Sequence, residues 1–250
     1  MTNPTFTEQD IKEMYNKDVK QETKGEYEFF RWFSNKETKT DYKMTHDSIW
    51  FHLRDIKFKI GLELGPGPGT WTKLLLKKNP SAELLLVDIS IEMLKQSEKN
   101  LKGKGKIKYK EQNFSNLEIS KKFDLFFSSR AIEYIINKQE VVKKIKSLLN
   151  KNGTAIIITK LPHPLKLKFR KLIYKKINKE HTERIGPSPL KDLLIRNGFR
   201  DIEIYPVIMP PKMPIVCSSL RFFIFKLFYK KQLNFFSRRL SESYLIKFKK

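Results

Sequence analysis

An α/β fold built on a seven-stranded, mostly parallel sheet is predicted, and three observations predict it. Short apolar runs alternate with helix-period segments five times between Ile60 and Lys160, the pattern of parallel strands joined by crossover helices. A glycine-rich turn follows the first of those runs at once. The 250 residues, 40% of them apolar and 12% aromatic, suffice for one sizeable core.

The first run, Ile60–Leu64, reads as a buried strand. Gly65, Gly67 and Gly69 then punctuate a tight turn, and Thr70–Lys77 opens a helix carrying Trp71, Leu74, Leu75 and Leu76. A strand that feeds a helix through such a turn brings backbone N–H groups against a ligand. The spacing separates the ligand classes. A phosphate-binding loop needs Gly-x-x-x-x-Gly-Lys-Ser/Thr, but Gly69 is followed by Thr70 and Trp71. A dinucleotide fingerprint needs Gly-x-Gly-x-x-Gly, and position 70 is threonine. What stands here is Glu63-x-Gly65-x-Gly67-x-Gly69. The second run, Glu83–Asp88, ends in a carboxylate 19 positions after Gly69. At a strand tip that carboxylate can accept both hydroxyls of a ribose; its other use is to cap the helix that starts near Ser90.

This acid-x-Gly-x-Gly-x-Gly turn, with the acid-tipped strand behind it, resembles the first motif of the class I S-adenosylmethionine-dependent methyltransferases. The resemblance spans roughly Ile60 to Lys160. It implies a Rossmann-like seven-stranded sheet with helices on both faces, S-adenosyl-L-methionine as cofactor, and methyl transfer as the activity. It also implies cofactor contacts at Glu63, Gly65, Gly67, Gly69, Asp88 and Ile89. Asn113 and Phe114 stand at the corner where the family carries an acid or amide to the adenine; a plain turn is the alternative for Asn113. The tip of the fourth strand, Phe123–Arg130, meets the sulfonium side of the cofactor in many family members. Ser128 is therefore a candidate cofactor contact, and Ser129, Arg130, Glu133 and Tyr134 are candidates beside the acceptor, Arg130 and Tyr134 foremost. No Asn-Pro-Pro-Tyr sequence occurs there, which counts against amino-group methylation on DNA. A base is needed only if the acceptor is protonated at neutral pH. His181 and His163, in loops after the fifth strand, can serve, as can Glu133 or Tyr134.

The remaining elements follow in chain order. Residues 6–53 read as two or three helices, with an aromatic group at Tyr27, Phe29, Phe30, Trp32 and Phe33 and an apolar face of Met44, Ile49, Trp50 and Leu53. By analogy with the family these helices lie over the cofactor. Arg31, Tyr42 and His46 are then candidate contacts, packing or surface roles being the alternative. Ser90 caps a helix to about Leu101, and Ile107–Glu111 is the third strand. Lys138–Leu149 is an amphipathic helix ended by a turn at Asn150–Gly153, before a fifth strand at Thr154–Lys160. A basic helix covers Leu165–Ile177, and Ser188 caps a short helix to Asn197. Arg200–Val207 is the sixth strand, and Ser243–Lys249 a seventh, antiparallel one. The expected organisation is a helical cap over 1–58, a core over 59–208, an insertion over 209–241 and the last core strand over 242–250.

The formal net charge of +24 is unevenly spread. Residues 160–250 hold 22 Lys/Arg against 6 Asp/Glu, whereas residues 1–159 hold 29 against 21. Such a field favours an anionic partner. The single Cys217 excludes a disulfide framework and suits a reducing compartment. Residues 1–10 contain acids and no apolar run, so no secretory signal is expected, and the histidines show no metal-ligand spacing. The expected setting is cytoplasmic, peripheral at a membrane.

The insertion at 209–241 is long where a tight hairpin suffices. Phe222, Phe223, Phe225, Phe228, Phe235 and Phe236 stand there among Arg221, Lys226, Lys230, Lys231, Arg238 and Arg239. It is too short and too charged to span a bilayer, and its cations do not segregate to one helical face. It reads as a flap that meets an anionic membrane and admits a small or lipid-linked methyl acceptor. A lid on the protein's own core and a dimer contact are the other readings. RNA methylation with the basic region holding phosphates is less favoured, because no RNA-binding module is present. A non-catalytic descendant of the fold sits poorly with the intact Glu63, glycine and Asp88 set.

Overall fold

The computed structural model describes residues 7–162, 183–210 and 216–250. The expected basic helix at 165–177 and two of the candidate bases, His163 and His181, lie outside the described residues. Element labels below run in chain order.

Four helical segments precede the sheet: α1 (Glu8–Lys17), a π-helical turn (Asp18–Glu22), α2 (Tyr27–Trp32) and α3 (Lys36–Leu53). Thr7 and Asn35 cap α1 and α3 with reciprocal side-chain to backbone hydrogen bonds, which fixes where each helix starts. The sheet then runs through β1 (Ile60–Leu64), β2 (Glu83–Asp88), β3 (Lys106–Glu111), β4 (Phe123–Ser129), β5 (Leu149–Lys160), β6 (Arg200–Ile208) and β7 (Ser243–Lys249). Its connecting helices are α4 (Thr72–Lys78), α5 (Ile91–Leu101), α6 (Lys138–Leu148), α7 (Pro187–Arg196), α8 (Ser218–Phe228) and α9 (Phe235–Leu240).

Strand order is β3-β2-β1-β4-β5-β7-β6, with β7 antiparallel to both neighbours and the other pairs parallel. The central strands are apolar on both faces, and alternate side chains enter two cores. Leu125 and Phe127 face a core with Met44, Ile49 and Leu53 of α3 and Leu75 of α4. Phe126 faces the other, with Val141 and Ile145 of α6 and Leu190 and Leu194 of α7. The seven-stranded α/β fold expected from the sequence is the one observed.

Three local expectations change. The turn at Asn150–Gly153 lies inside the span of β5, because Phe123 pairs with Leu149 before it and Leu125 with Thr154 after it. Asn152 there has φ +69°, the left-handed region that asparagine tolerates. Ser188 is not a cap: Gly186 holds the cap position of α7, and the Ser188 hydroxyl instead accepts from Arg238.

The third change is in the insertion. Residues 218–228 do form a two-sided helix, because Arg221 belongs to its inner face. The guanidinium is fully buried and lies 2.6 Å from a Glu37 carboxylate oxygen and 2.7 Å from one of Asp41, both on α3. Its Nε also donates to the Pro210 carbonyl at 3.1 Å. Phe225 and Tyr229, four and eight positions on, continue the same face into the core beside α3. Arg221 is thus an anchor for α8 rather than one of the outward cations of a flap.

Replacing Arg221 by methionine keeps much of the stem but leaves Asp41 buried without its cation. The expected cost is about 3–5 kcal/mol of unfolding free energy, the range for breaking a buried ion pair by removing one partner. Denaturant titration checks it; a loss below about 1 kcal/mol, as for surface pairs, contradicts the anchoring role.

Candidate functional site

The carboxyl ends of β1, β2, β4 and β5 open on one cavity of about 380 Å³, roofed by α1 and α2. The turn after β1 builds its floor. Gly65 has φ +67°, and a Cβ there would lie 2.4 Å from that of Ala131. Gly67 has φ +54°, and a Cβ would meet nothing nearer than the Met93 sulfur at 4.0 Å, so its open side is available to a ligand. Both line the cavity. Gly69 does not; its missing Cβ makes room for Leu101 and Ser97 of α5, which would otherwise be 2.8 and 2.9 Å away.

Glu63 is also off the wall. It is buried under the turn, where its carboxyl accepts from the Thr72 hydroxyl at 2.7 Å and ties β1 to the first residue of α4. Burial pushes its pKa up to about 8, so it is largely protonated at neutral pH.

Asp88 ends β2 at the cavity edge. One carboxylate oxygen accepts from the Gly67 N–H at 3.2 Å, the other from the Ser90 N–H at 3.0 Å. Burial raises its pKa to about 6 against the backbone donors of Ser90, Gly67 and Ile89. The helix cap belongs to Ser90, whose hydroxyl accepts from the Met93 N–H at 3.2 Å, so Asp88 is left to face the cavity. Ile89, Asn113 and Phe114 complete that wall. The Asn113 side-chain oxygen accepts from the Ser115 N–H at 2.9 Å, and its amide donates to Glu8 of α1. The turn role of Asn113 is therefore real, and it also clips the roof to the sheet.

Across the cavity, parity decides between the two serines. Ser128 is fully buried and off the wall, while Ser129 lines it; neither hydroxyl has a partner among the described residues. Arg130, at φ +69°, is held by its N–H on the Ile158 carbonyl at 2.8 Å and by its Nε on Glu133 at 3.0 Å. Glu133 is fully buried and also accepts from the Lys160 N–H at 3.1 Å. Lys160 lines the cavity at the end of β5, 3.1 Å from Glu242, with its pKa pushed down to about 8 by burial and by Arg130. The Tyr134 hydroxyl meets that of Tyr15 on α1 at 2.7 Å. Burial raises the pKa of both phenols, so neither is a base at neutral pH.

Of the amino-terminal candidates, Arg31 lines the cavity and stacks on Trp32 at 4.1 Å. Tyr42 and His46 do not. Tyr42 stacks on Trp71 at 5.3 Å, and the His46 ring pairs with Asp47 at 3.1 Å. The sequence reading missed Tyr15 and Lys160. Lys160 had a usable signal, as the last residue of a strand parallel to β1; Tyr15 had none, because only packing brings α1 over the cavity.

Residues 62–155 match a family model described as a methyltransferase domain. Over those residues the chain carries a methyltransferase domain, in the fold of S-adenosylmethionine-dependent methyltransferases. The domain is similar to malonyl-[acyl-carrier protein] O-methyltransferase 2 of Ilyobacter polytropus, 28% identical over 98 residues, which are 39% of this chain and 38% of that protein. The enzyme of the same name in Anoxybacillus flavithermus is 29% identical over 98 residues, again 39% and 38% of the two chains. The matched part is thus about two-fifths of the length of these relatives. In fold the chain is similar to a possible histamine N-methyltransferase of Thermotoga maritima, with TM-score 0.63, 15% identity, and coverage of 94% of this chain and 99% of that one. The N-methyltransferase NodS of Bradyrhizobium japonicum, in complex with S-adenosyl-L-homocysteine, gives TM-score 0.60, 11% identity, and coverage of 94% and 97%.

The methyltransferase domain's cavity suits S-adenosylmethionine. Gly67 leaves its open side clear for close approach of a ligand, and Asp88 offers a buried carboxylate that two ribose hydroxyls can satisfy. Phe114 and Ile89 add apolar side chains to the same wall.

The buried Glu63 of the domain gives a pH signature. Its folded pKa lies above the usual 4.5, so the folded state favours the neutral form. Its stabilising contribution is complete below 4.5 and lost as pH rises to about 8. Asp88 acts in the same direction, but only up to about pH 6. Glu63→Gln copies the neutral form. Between pH 6 and 8 the wild type is expected to lose on the order of 1–3 kcal/mol that the variant keeps. Parallel stability curves for the two proteins would rule this out.

Proposed function

We propose that this chain transfers the methyl group of S-adenosylmethionine to a small or lipid-linked acceptor, at a membrane surface. One observation carries the reading. A single cavity joins the glycine turn and Asp88 on one side to Arg130, Tyr134 and Lys160 on the other, the two halves that a cofactor and an acceptor require.

When bound, the cofactor supplies a sulfonium methyl open to in-line displacement. The chain contributes position and dryness. Gly65 and Gly67 let the backbone approach, Asp88 takes the ribose hydroxyls, and Ile11 and Met14 of α1 close the roof against water. Arg130 is oriented by Glu133, and the described residues give no partner to its two terminal nitrogens. A planar guanidinium presented in this way suits a carboxylate or another acidic group. Tyr15 and Tyr134 stay protonated and donate rather than abstract. An acceptor that reacts as an anion needs no base, which agrees with this wall. The relatives named as malonyl-[acyl-carrier protein] O-methyltransferases support the same acceptor class. The lipid-linked form of the acceptor is supported by the aromatic, basic insertion beside the fold. Among the described residues no helix is long and apolar enough to cross a membrane, so contact from one side is the form proposed.

Calorimetry with S-adenosylmethionine and S-adenosylhomocysteine tests the cofactor half. Asp88→Ala is expected to weaken binding by about 1–3 kcal/mol, the loss of a charged hydrogen-bond acceptor. Wild-type protein that binds neither compound defeats the proposal. For the acceptor half, Arg130→Ala and Tyr134→Ala are expected to lower turnover with a carboxylate-bearing acyl thioester while cofactor affinity stays nearly unchanged. A loss of cofactor affinity in both variants instead moves these residues to the cofactor.

A further inference from the structure

The outer side of α8 and α9 is apolar, cationic and free of acids. Leu220, Phe223 and Leu227 recur at helical spacing opposite Arg221 and Phe225, and Phe235 and Phe236 extend the surface on α9. Exposure is 61% for Phe223 and 75% for Phe235, far beyond what large apolar side chains normally retain. The Phe228 and Phe236 rings touch at 5.8 Å, which joins the two helices into one face. Patches of this kind on a folded chain mark a contact surface.

The charge around it selects the partner. Between Glu203 and Glu242 the sequence holds seven Lys/Arg and no acidic residue. Two of the seven are used internally: Arg221 by Glu37 and Asp41, and Lys226 by Asp47. Lys230, Lys231, Arg238 and Arg239 are exposed at the border of the aromatic face. Arg239 lies 4.6 Å over the Phe235 ring, and Lys231 6.0 Å from that of Phe228. Rings and cations interleaved in this way suit the headgroup layer, where an aromatic side chain sinks to the acyl boundary and a cation meets phosphate. A second copy of this chain fits poorly, because a two-fold contact would set these cations against themselves. RNA would use the cations but has no need of Leu220 and Leu227.

We propose that the α8–α9 face docks on an anionic bilayer, with the buried Arg221 contact to α3 holding it rigid on the fold. The proposal deepens the membrane part of the function above and rests on it only there, since docking is measured without methyl transfer. The face also lies on the element chain that leads to the cavity. The Ser218 hydroxyl at the start of α8 bonds to Glu37 at the start of α3, and the preceding helix, α2, lines the cavity with Tyr27, Arg31 and Trp32.

Flotation of the full chain with phosphatidylglycerol–phosphatidylcholine vesicles, and with phosphatidylcholine alone, tests this at low and high salt. Binding is expected to need the acidic lipid and to weaken in salt. Phe223→Ser with Phe235→Ser is expected to abolish it. Lys230→Gln with Lys231→Gln is expected to reduce partitioning by about fivefold per cation. Circular dichroism and S-adenosylhomocysteine calorimetry should be unchanged in these surface variants, which separates a docking failure from loss of the fold or of the cofactor site. No binding to acidic vesicles, or binding indifferent to the phenylalanines, overturns the proposal. So does a dimer in sedimentation that the phenylalanine variant dissolves, or tighter capture of single-stranded RNA that the same variant loses.

Discussion

The site depends on one hydrogen bond, from the N–H of Gly67 to the carboxylate of Asp88 at 3.2 Å. It joins the tip of β2 to the turn that leaves β1, at a residue whose φ of +54° favours glycine. Glu63 secures the same turn from below through Thr72, and the Gly69 gap lets α5 pack against it from the side. Two carboxyl groups are thereby buried within one turn, each held above its ordinary pKa by burial. Such an arrangement costs stability in the free protein, and a ligand that hydrogen-bonds Asp88 recovers part of it. Pre-organisation of the cavity and the burial cost of its floor are therefore the same fact.

What the sequence disclosed follows from how local each signal is. The strands at Ile60–Leu64, Glu83–Asp88 and Phe123–Ser129 were legible because burial on both faces leaves runs such as Leu84–Val87 and Leu125–Phe127 unbroken by polar residues. The turn was legible because its glycines sit where side chains cannot. Ser128 was preferred to Ser129 as a cofactor contact because neither spacing nor composition tells which face of a strand tip turns to the cavity. Arg221 was counted as an outward cation because the acids that bury it, Glu37 and Asp41, are about 180 residues earlier and meet it only through packing. Tyr15 escaped for the same reason: its partner, Tyr134, is 119 residues away.

The charge skew also resolves into distinct uses once contacts are known. Lys160 is spent at the cavity wall with Glu242 beside it. Arg221 is internal to the packing of α8, and Lys247 and Lys249 pair with Glu203 and Asp201 on β6. Composition alone could not assign any of these, since a lysine in a salt bridge and a lysine in water contribute equally to a formal charge. The cations at the border of the α8–α9 face, Lys230, Lys231, Arg238 and Arg239, have no acidic partner among the described residues.

The placement of β7 between β5 and β6 has a consequence for biosynthesis. Among the described strands β6 pairs with β7 alone, and β5 has β7 as its outer neighbour. A ribosome must pass Lys249 and clear its exit tunnel before β6 can enter the sheet at all. Until then the emerging chain carries two unpaired strand edges together with the phenylalanines of residues 218–236. Both are hazards for aggregation in a nascent polypeptide. Residues 209–241, nearly all of the stretch between β6 and β7, hold seven Lys/Arg and no acid. The self-repulsion of such a run opposes association during the interval in which the sheet is still incomplete.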